Sequence, residues 1–103
     1  MDPLNFGRYS DPAMLILGSL AGGAKHGYAM MQEIEAMTGV HLGAGTLYGA
    51  LVRLQNSQLI EPLPSTDRRQ PYQLTAQGAR LLREQLIILH NFAEVSLKRL
   101  AAE

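Results

Sequence analysis

Three short stretches carry the side chains that could do chemistry. Thr46, Tyr48 and Arg53 stand in Gly45-Thr46-Leu47-Tyr48-Gly49-Ala50-Leu51-Val52-Arg53-Leu54. Lys25, His26 and Tyr28 stand in Lys25-His26-Gly27-Tyr28, and a pair of arginines in Ser65-Thr66-Asp67-Arg68-Arg69-Gln70. These are cations and hydroxyl donors, suited to holding phosphate oxygens or base edges rather than to breaking bonds. His26, His41 and His90 lack metal-ligand spacing, no phosphate-loop motif occurs, and no nucleophile has an evident base. No catalytic residue, metal ligand or cofactor is therefore expected, and the chain does not read as an enzyme.

The elements around these residues follow from pattern. Leu47, Leu51 and Leu54 recur at i, i+4, i+7 and make one apolar stripe of a helix. Its other side carries Thr46, Gly49 and Arg53, edged by Tyr48 and Gln55, and Gly49 lets a partner approach the backbone. Upstream, Asp11-Pro12 is a helix start, and Ala13 to Ala21 is apolar almost all round, as in a buried helix closed by Gly22-Gly23. A second helix is expected from Gly27 to Thr38, with Met30, Ile34 and Met37 inward, Glu33 and Glu35 toward solvent, and Gly39 as the stop. Lys25, His26 and Tyr28 then sit at its N-terminus, where backbone N–H groups favour a phosphate. Val40-His41-Leu42 reads as a link with the pattern of a small strand. Gly43-Ala44-Gly45 opens the third helix. Two helices joined by a short glycine-bearing link match a helix-turn-helix, whose second helix enters the major groove N-terminal residues first.

Downstream, Leu59 to Leu63 and Pro71 to Leu74 read as two strands of a hairpin with Arg68 and Arg69 at its tip. Pro62, Pro64 and Pro71 cannot donate ladder hydrogen bonds and mark an exposed ribbon. Such an arm adds little core and suits a wing that lays its arginines on phosphates or in a minor groove. The fold class is thus mainly α with a small β wing (α+β), a winged helix-turn-helix.

Thr75 is a good N-cap, and no breaker follows from Ala79 to Glu103. A helix from Ala76 to Ala101 would extend about 40 Å, beyond the ~26 Å diameter expected of a domain of this size. Its far end should project. Yet Leu82, Leu86, Leu89, Ala93 and Leu100 form one apolar stripe, and Leu81, Ile88, Phe92 and Val95 another. A projecting helix with two apolar faces needs a second chain, most simply its own copy in a C2 dimer. The expected organisation is a loose arm over 1–10, bearing Phe6, Arg8 and Tyr9, a winged helix over 11–75, and a long C-terminal dimerisation helix over 76–103. Leu82, Leu86, Leu89, Phe92, Ala93 and Leu100 are the dimerisation candidates.

Composition sets the limits. The chain has 103 residues, 47% of them apolar, which fits one globular domain. It has no cysteine, which removes disulfides and thiol chemistry and fits a reducing cytoplasm. The longest apolar run, Ala13 to Leu17, is far too short to span a bilayer, and no charged segment precedes it as in a signal peptide. Nine Lys and Arg balance nine Asp and Glu. A nucleic-acid binder is ordinarily basic, so a DNA reading must rest on where the charges lie.

Taken together, Leu15-Ile16-Leu17-Gly18-Ser19-Leu20, Lys25-His26-Gly27-Tyr28, Gly45-Thr46-Leu47-Tyr48-Gly49-Ala50-Leu51, Arg53-Leu54, Leu59-Ile60, Asp67-Arg68-Arg69-Gln70-Pro71-Tyr72 and Leu74-Thr75-Ala76-Gln77-Gly78 resemble the PadR family of bacterial transcriptional regulators, in order and over roughly residues 12 to 80. The resemblance implies a winged helix-turn-helix with a C-terminal dimerisation region, of the short type with one C-terminal helix. It implies that Thr46, Tyr48 and Gly49 mark the DNA-reading helix, Arg68 and Arg69 the wing, and Tyr28 and its neighbours a backbone contact; Gly45 and Arg53 on the same helix, with Lys25 and His26, complete the DNA-binding candidates. Three departures stand out. Gly49 replaces the family's usual Pro, Gly43-Ala44 a more polar lead-in, and Pro71 a basic or aromatic residue. Some short members bind flat aromatic drugs between tryptophans, and this chain has no Trp.

The function expected is a cytoplasmic, dimeric, sequence-specific regulator of double-stranded operator DNA, repressing by family resemblance and released by a small-molecule effector at the dimer interface, with no membrane partner. The alternative is a winged-helix protein-interaction module without strong DNA binding. It is motivated by the neutral charge and the apolar C-terminal helix.

Overall fold

A computed structural model describes residues 11–102, so the arm residues Phe6, Arg8 and Tyr9 lie outside it. Asp11 caps the first helix, α1 (Pro12–Leu20), by accepting the Ala13 N–H at 3.1 Å. The apolar run behind it delivers Leu15, Ile16, Leu17 and Leu20 to the core. Gly23, at φ +133°, then turns the chain. Next comes a strand, β1 (Lys25–His26), followed at once by α2 (Gly27–Thr38). Gly39 ends α2 in the left-handed region at φ +77°, the conformation that glycine adopts without strain. Residues 40–43 carry no strand, because no segment among the described residues pairs with them. They cross directly to α3 (Ala44–Asn56).

After α3 come β2 (Ile60–Pro62), β3 (Pro71–Leu74) and α4 (Ala76–Ala101). The sheet has three antiparallel strands in the order β1-β3-β2, rather than the expected two. β3 lies in the middle, with Ile60 opposite Leu74 on one side and Lys25 opposite Tyr72 on the other. Pro71 is tolerated there because it is the first residue of its strand. β1 thus ties the start of α2 to the base of the wing.

The core is a single cluster. Ile16 from α1, Met30 and Ile34 from α2, Leu47 and Leu51 from α3 and Ile60 from β2 are all almost fully buried. Two expectations fail here. Met37 is 57% exposed, since α2 ends before its last turn reaches the core. Leu82 is only 4% exposed and belongs to the chain's own core, so it does not await a second chain.

The start of α4 is fixed by a close approach. Thr75 caps it through the Gly78 N–H at 3.0 Å and donates its hydroxyl to the Gln58 carbonyl at 2.7 Å. A β-carbon on Gly78 would lie 1.9 Å from the Leu59 carbonyl oxygen, so only glycine fits. Beyond Gln85, α4 leaves the body: Leu86, Ile87, Ile88, Phe92, Val95, Leu97 and Leu100 are exposed. Its 26 residues span about 39 Å, and the molecule measures 57 × 31 × 21 Å.

Gly78→Ala is expected to lower stability by about 3 kcal/mol, the upper end of the usual overpacking cost, since backbone rather than a flexible side chain must move. Gly18→Ala, where nothing lies within 4 Å of the new β-carbon, should instead raise it by about 0.5–1 kcal/mol. Urea denaturation of both variants checks the contrast; equal effects would contradict it.

Candidate nucleic-acid interface

The N-terminus of α2, the polar side of α3 and the tip of the wing converge. A cleft of about 330 Å³ lies between them, lined by His26, Gly27, Tyr28, Tyr48, Arg68, Arg69 and Gln70. Five residues singled out from the sequence therefore meet at one place: His26, Tyr28, Tyr48, Arg68 and Arg69.

Packing between α2 and α3 shapes the cleft. A β-carbon on Gly27 would sit 2.8 Å from the Tyr48 hydroxyl oxygen and 3.0 Å from Leu47 Cδ2. Gly27 is buried, and its lack of a side chain lets α3 press against the first turn of α2. Tyr48 nevertheless stays 51% exposed, with one flank on Gly27 and the other open to solvent. Tyr28 is 59% exposed and its hydroxyl accepts from Gln32 Nε2 at 3.3 Å.

His26 joins the helix to the wing. Its Nδ1 accepts the Ala29 N–H at 3.4 Å as the N-cap of α2, and its Nε2 lies 3.3 Å from Arg69 Nη1. A neutral imidazole accepts at one nitrogen only, so the two contacts are alternatives for one ring. The wing loop is ordered from within. The Asp67 carboxylate accepts the Arg69 N–H at 2.8 Å and the Ser65 hydroxyl at 3.1 Å. These bonds, the backbone N–H first, hold its pKa below the usual carboxylate value. Gln70 Nε2 donates to the Leu63 and Pro71 carbonyls at 2.8 and 2.9 Å and closes the base of the loop.

On α3 the exposed side carries Gly45, Thr46, Tyr48, Val52 and Arg53, with Gly49 partly covered. Gly43 caps the helix without a side-chain hydrogen bond, so among the described residues no side chain caps the outward N–H groups of its first turn.

Lys25 departs from expectation. It turns away from the cleft, donates to Glu33 Oε1 at 2.8 Å and to the Ser19 carbonyl, and its side chain is 16% exposed. The Ser19 hydroxyl donates to the same Glu33 oxygen at 2.7 Å. Glu33 is therefore not simply solvent-facing. The three residues pin β1 and α2 to α1, and the Lys25 ammonium is engaged within the protein rather than at the cleft. Ser19 and Glu33 were missed because their partners lie far along the chain. Gly27 appears in the sequence only as a helix start, and Gln70 only as a loop residue.

The Lys25 and Ser19 hydrogen bonds, in that order, hold the Glu33 carboxyl below its ordinary pKa. The stabilisation is thus fully present above the unfolded value of about 4.3 and is lost as pH falls through the lower folded value. Glu33→Gln should melt below the parent at neutral pH, with the gap closing at acid pH. A gap that is constant from neutral pH to about pH 3 would show that the carboxylate charge plays no part.

Fold and cleft together define a winged helix-turn-helix protein. The model of the transcriptional regulator PadR-like family matches residues 16–84, and the chain belongs to that family, one of regulators rather than enzymes. An uncharacterized 37.1 kDa protein in a transposon of Streptomyces fradiae is 44% identical over 89 residues, 86% of this chain and 25% of that protein. The chain thus spans about a quarter of this curated relative. Among solved structures, a PadR family transcriptional regulator from Eggerthella lenta superposes with a TM-score of 0.72 at 29% identity, over 90% of this chain and 84% of that one. A PadR family transcription regulator from Clostridium difficile gives 0.77 at 24% identity, over 86% and 97%. A transcriptional regulator from Clostridium thermocellum gives 0.76 at 23%, over 91% and 94%. The last two speak to the fold.

Proposed function

We propose that this chain is a dimeric, sequence-specific DNA-binding regulator that represses transcription and is released by a small-molecule effector at the dimer interface. The observation that carries the DNA reading is the convergence of His26, Tyr28, Tyr48, Arg68 and Arg69 on one cleft beside the exposed side of α3. In this reading α3 enters the major groove, Thr46 and Arg53 reach bases or phosphates, and Tyr28 and Tyr48 reach the backbone through their hydroxyls. The wing arginines lie on the flanking phosphates or in the minor groove. Net neutrality does not oppose this. The wing acid Asp67 is engaged with its own loop, and Glu33 is held by Lys25 and Ser19 away from the cleft, while Arg53 and Arg68 are exposed.

The dimer is supported by the exposed apolar length of α4. From Leu86 to Leu100 the helix presents Ile87, Ile88, Phe92, Val95 and Leu97 on more than one side, more than solvent exposure alone would favour. Of the dimerisation candidates, Leu86, Leu89, Phe92, Ala93 and Leu100 stay available; Leu82 does not. A shallow cavity lined by Arg83, Leu86, Ile87, His90 and Asn91 is where an effector would be enclosed once a second chain covers it. Repression follows the family's usual mode.

Binding to duplexes selected from a random pool, across a salt series, tests the reading. A preference of at least ~10³ over scrambled DNA with a steep salt slope is expected. Arg68→Ala should weaken all duplexes alike and reduce the slope by about 1. Equal, feeble binding to every duplex would favour a protein-interaction module instead. Sedimentation should give twice the chain mass for the parent and a shift toward one chain for Ile88→Glu; a parent of single-chain mass at high concentration would contradict the dimer.

A further inference from the structure

Two glycines on α3 are not required by any close contact among the described residues. Nothing lies within 4 Å of a β-carbon built on Gly45, and a β-carbon on Gly49 meets only Arg53 Nη1, at 3.7 Å. Gly27 and Gly78 are held by close contacts, whereas Gly45 faces open space and Gly49 meets only the far end of the Arg53 side chain. A glycine in a helix costs about 1 kcal/mol relative to alanine. That cost at two sites fits an external surface that comes close to the backbone.

Gly45 and Gly49 share a line with Val52 and Asn56, at i, i+4, i+7 and i+11. The line runs opposite the buried stripe of Leu47, Leu51 and Leu54 and is the outermost of the helix. Thr46 and Arg53 flank it on one side, Tyr48 and Gln55 on the other. Val52 is the only large apolar side chain on it, 58% exposed, and it has no part in the core.

We propose that Val52 is a specificity residue that reads the 5-methyl group of a thymine in the major groove. This rests on the DNA reading given above and names what one residue of that surface recognises. Base edges in the major groove offer hydrogen-bond donors and acceptors and a single apolar group, the thymine methyl. Val52 has no donor or acceptor. Set against any other base edge it strips water from polar atoms without replacing their hydrogen bonds, which disfavours those bases. Set against a thymine methyl it buries apolar surface on both sides. Discrimination therefore comes from attraction and exclusion together. The bare backbone at Gly45 and Gly49 lets the helix sit deep enough for a short side chain to reach.

The experiment uses the intact protein and a duplex selected from a random pool. Each thymine is replaced in turn by deoxyuridine, which keeps the hydrogen-bonding edge and deletes only the methyl. The parent should lose about fourfold in affinity per half-site at one position, the worth of one buried methyl. Val52→Ala, which lacks both γ-methyl groups and is expected to fold because the site is exposed, should bind the thymine and uracil duplexes alike. Either of two results overturns the proposal: no thymine whose methyl matters, or a loss that persists undiminished in Val52→Ala. Specific binding with no methyl effect would sink this inference and leave the DNA reading standing. A parent that prefers no sequence would sink both.

Discussion

The contact between Tyr48 and Gly27 is the constraint on which the functional surface depends. The Tyr48 hydroxyl oxygen lies 2.8 Å from where a β-carbon of residue 27 would be, so α3 touches α2 through bare backbone. That approach sends Leu47, the next residue inward, fully into the core. It also leaves Tyr48 at the rim of a cleft whose other walls are the His26 turn and the wing. The same short segment ends β1 and begins α2, so the sheet, the helix pair and the wing share one junction.

Around this junction the charges are sorted by task. Lys25 is held inside by Glu33 and the Ser19 carbonyl and fixes α1, β1 and α2 to one another. Glu35 lies 3.2 Å from His41, and Glu61 accepts from Gln73 at 2.8 Å. Asp67 shapes the wing loop through backbone and hydroxyl bonds. The chain has nine acids and nine bases, yet Arg68 and Arg69 line the cleft with His26 beside them, and Arg53 stands exposed on α3. Local placement, not net charge, gives the face its sign, and a field set by local placement is what steers a polyanion.

Much of this was legible because it is local. Asp11-Pro12, Thr75 and Gly39 mark helix ends by chemistry that acts within a few residues: α1 and α4 begin, and α2 ends, where those signals stand. The stripe of Leu47, Leu51 and Leu54 located the buried side of α3, and hence its outward side. What was not legible is long-range. Two residues cannot announce a strand, so β1 was invisible until β3 lay beside it, and Lys25 read as a free cation until Glu33 closed on it. Val40-His41-Leu42 had a strand's pattern and finds no partner among the described residues. Met37 and Leu82 show the same limit: periodicity gives a side of a helix, while the ends of neighbouring elements decide which turns are covered.

In the proposed mode of binding, the first turn of α2, the outward side of α3 and the wing tip form one DNA-binding surface. Hydrogen exchange of the protein with and without a selected duplex tests it most directly. Protection of amides in residues 26–29, 44–49 and 66–70, with α4 beyond Gln85 unchanged by DNA, is the result predicted. Protection confined to α4, or absent from both α3 and the wing at saturating duplex, would contradict it.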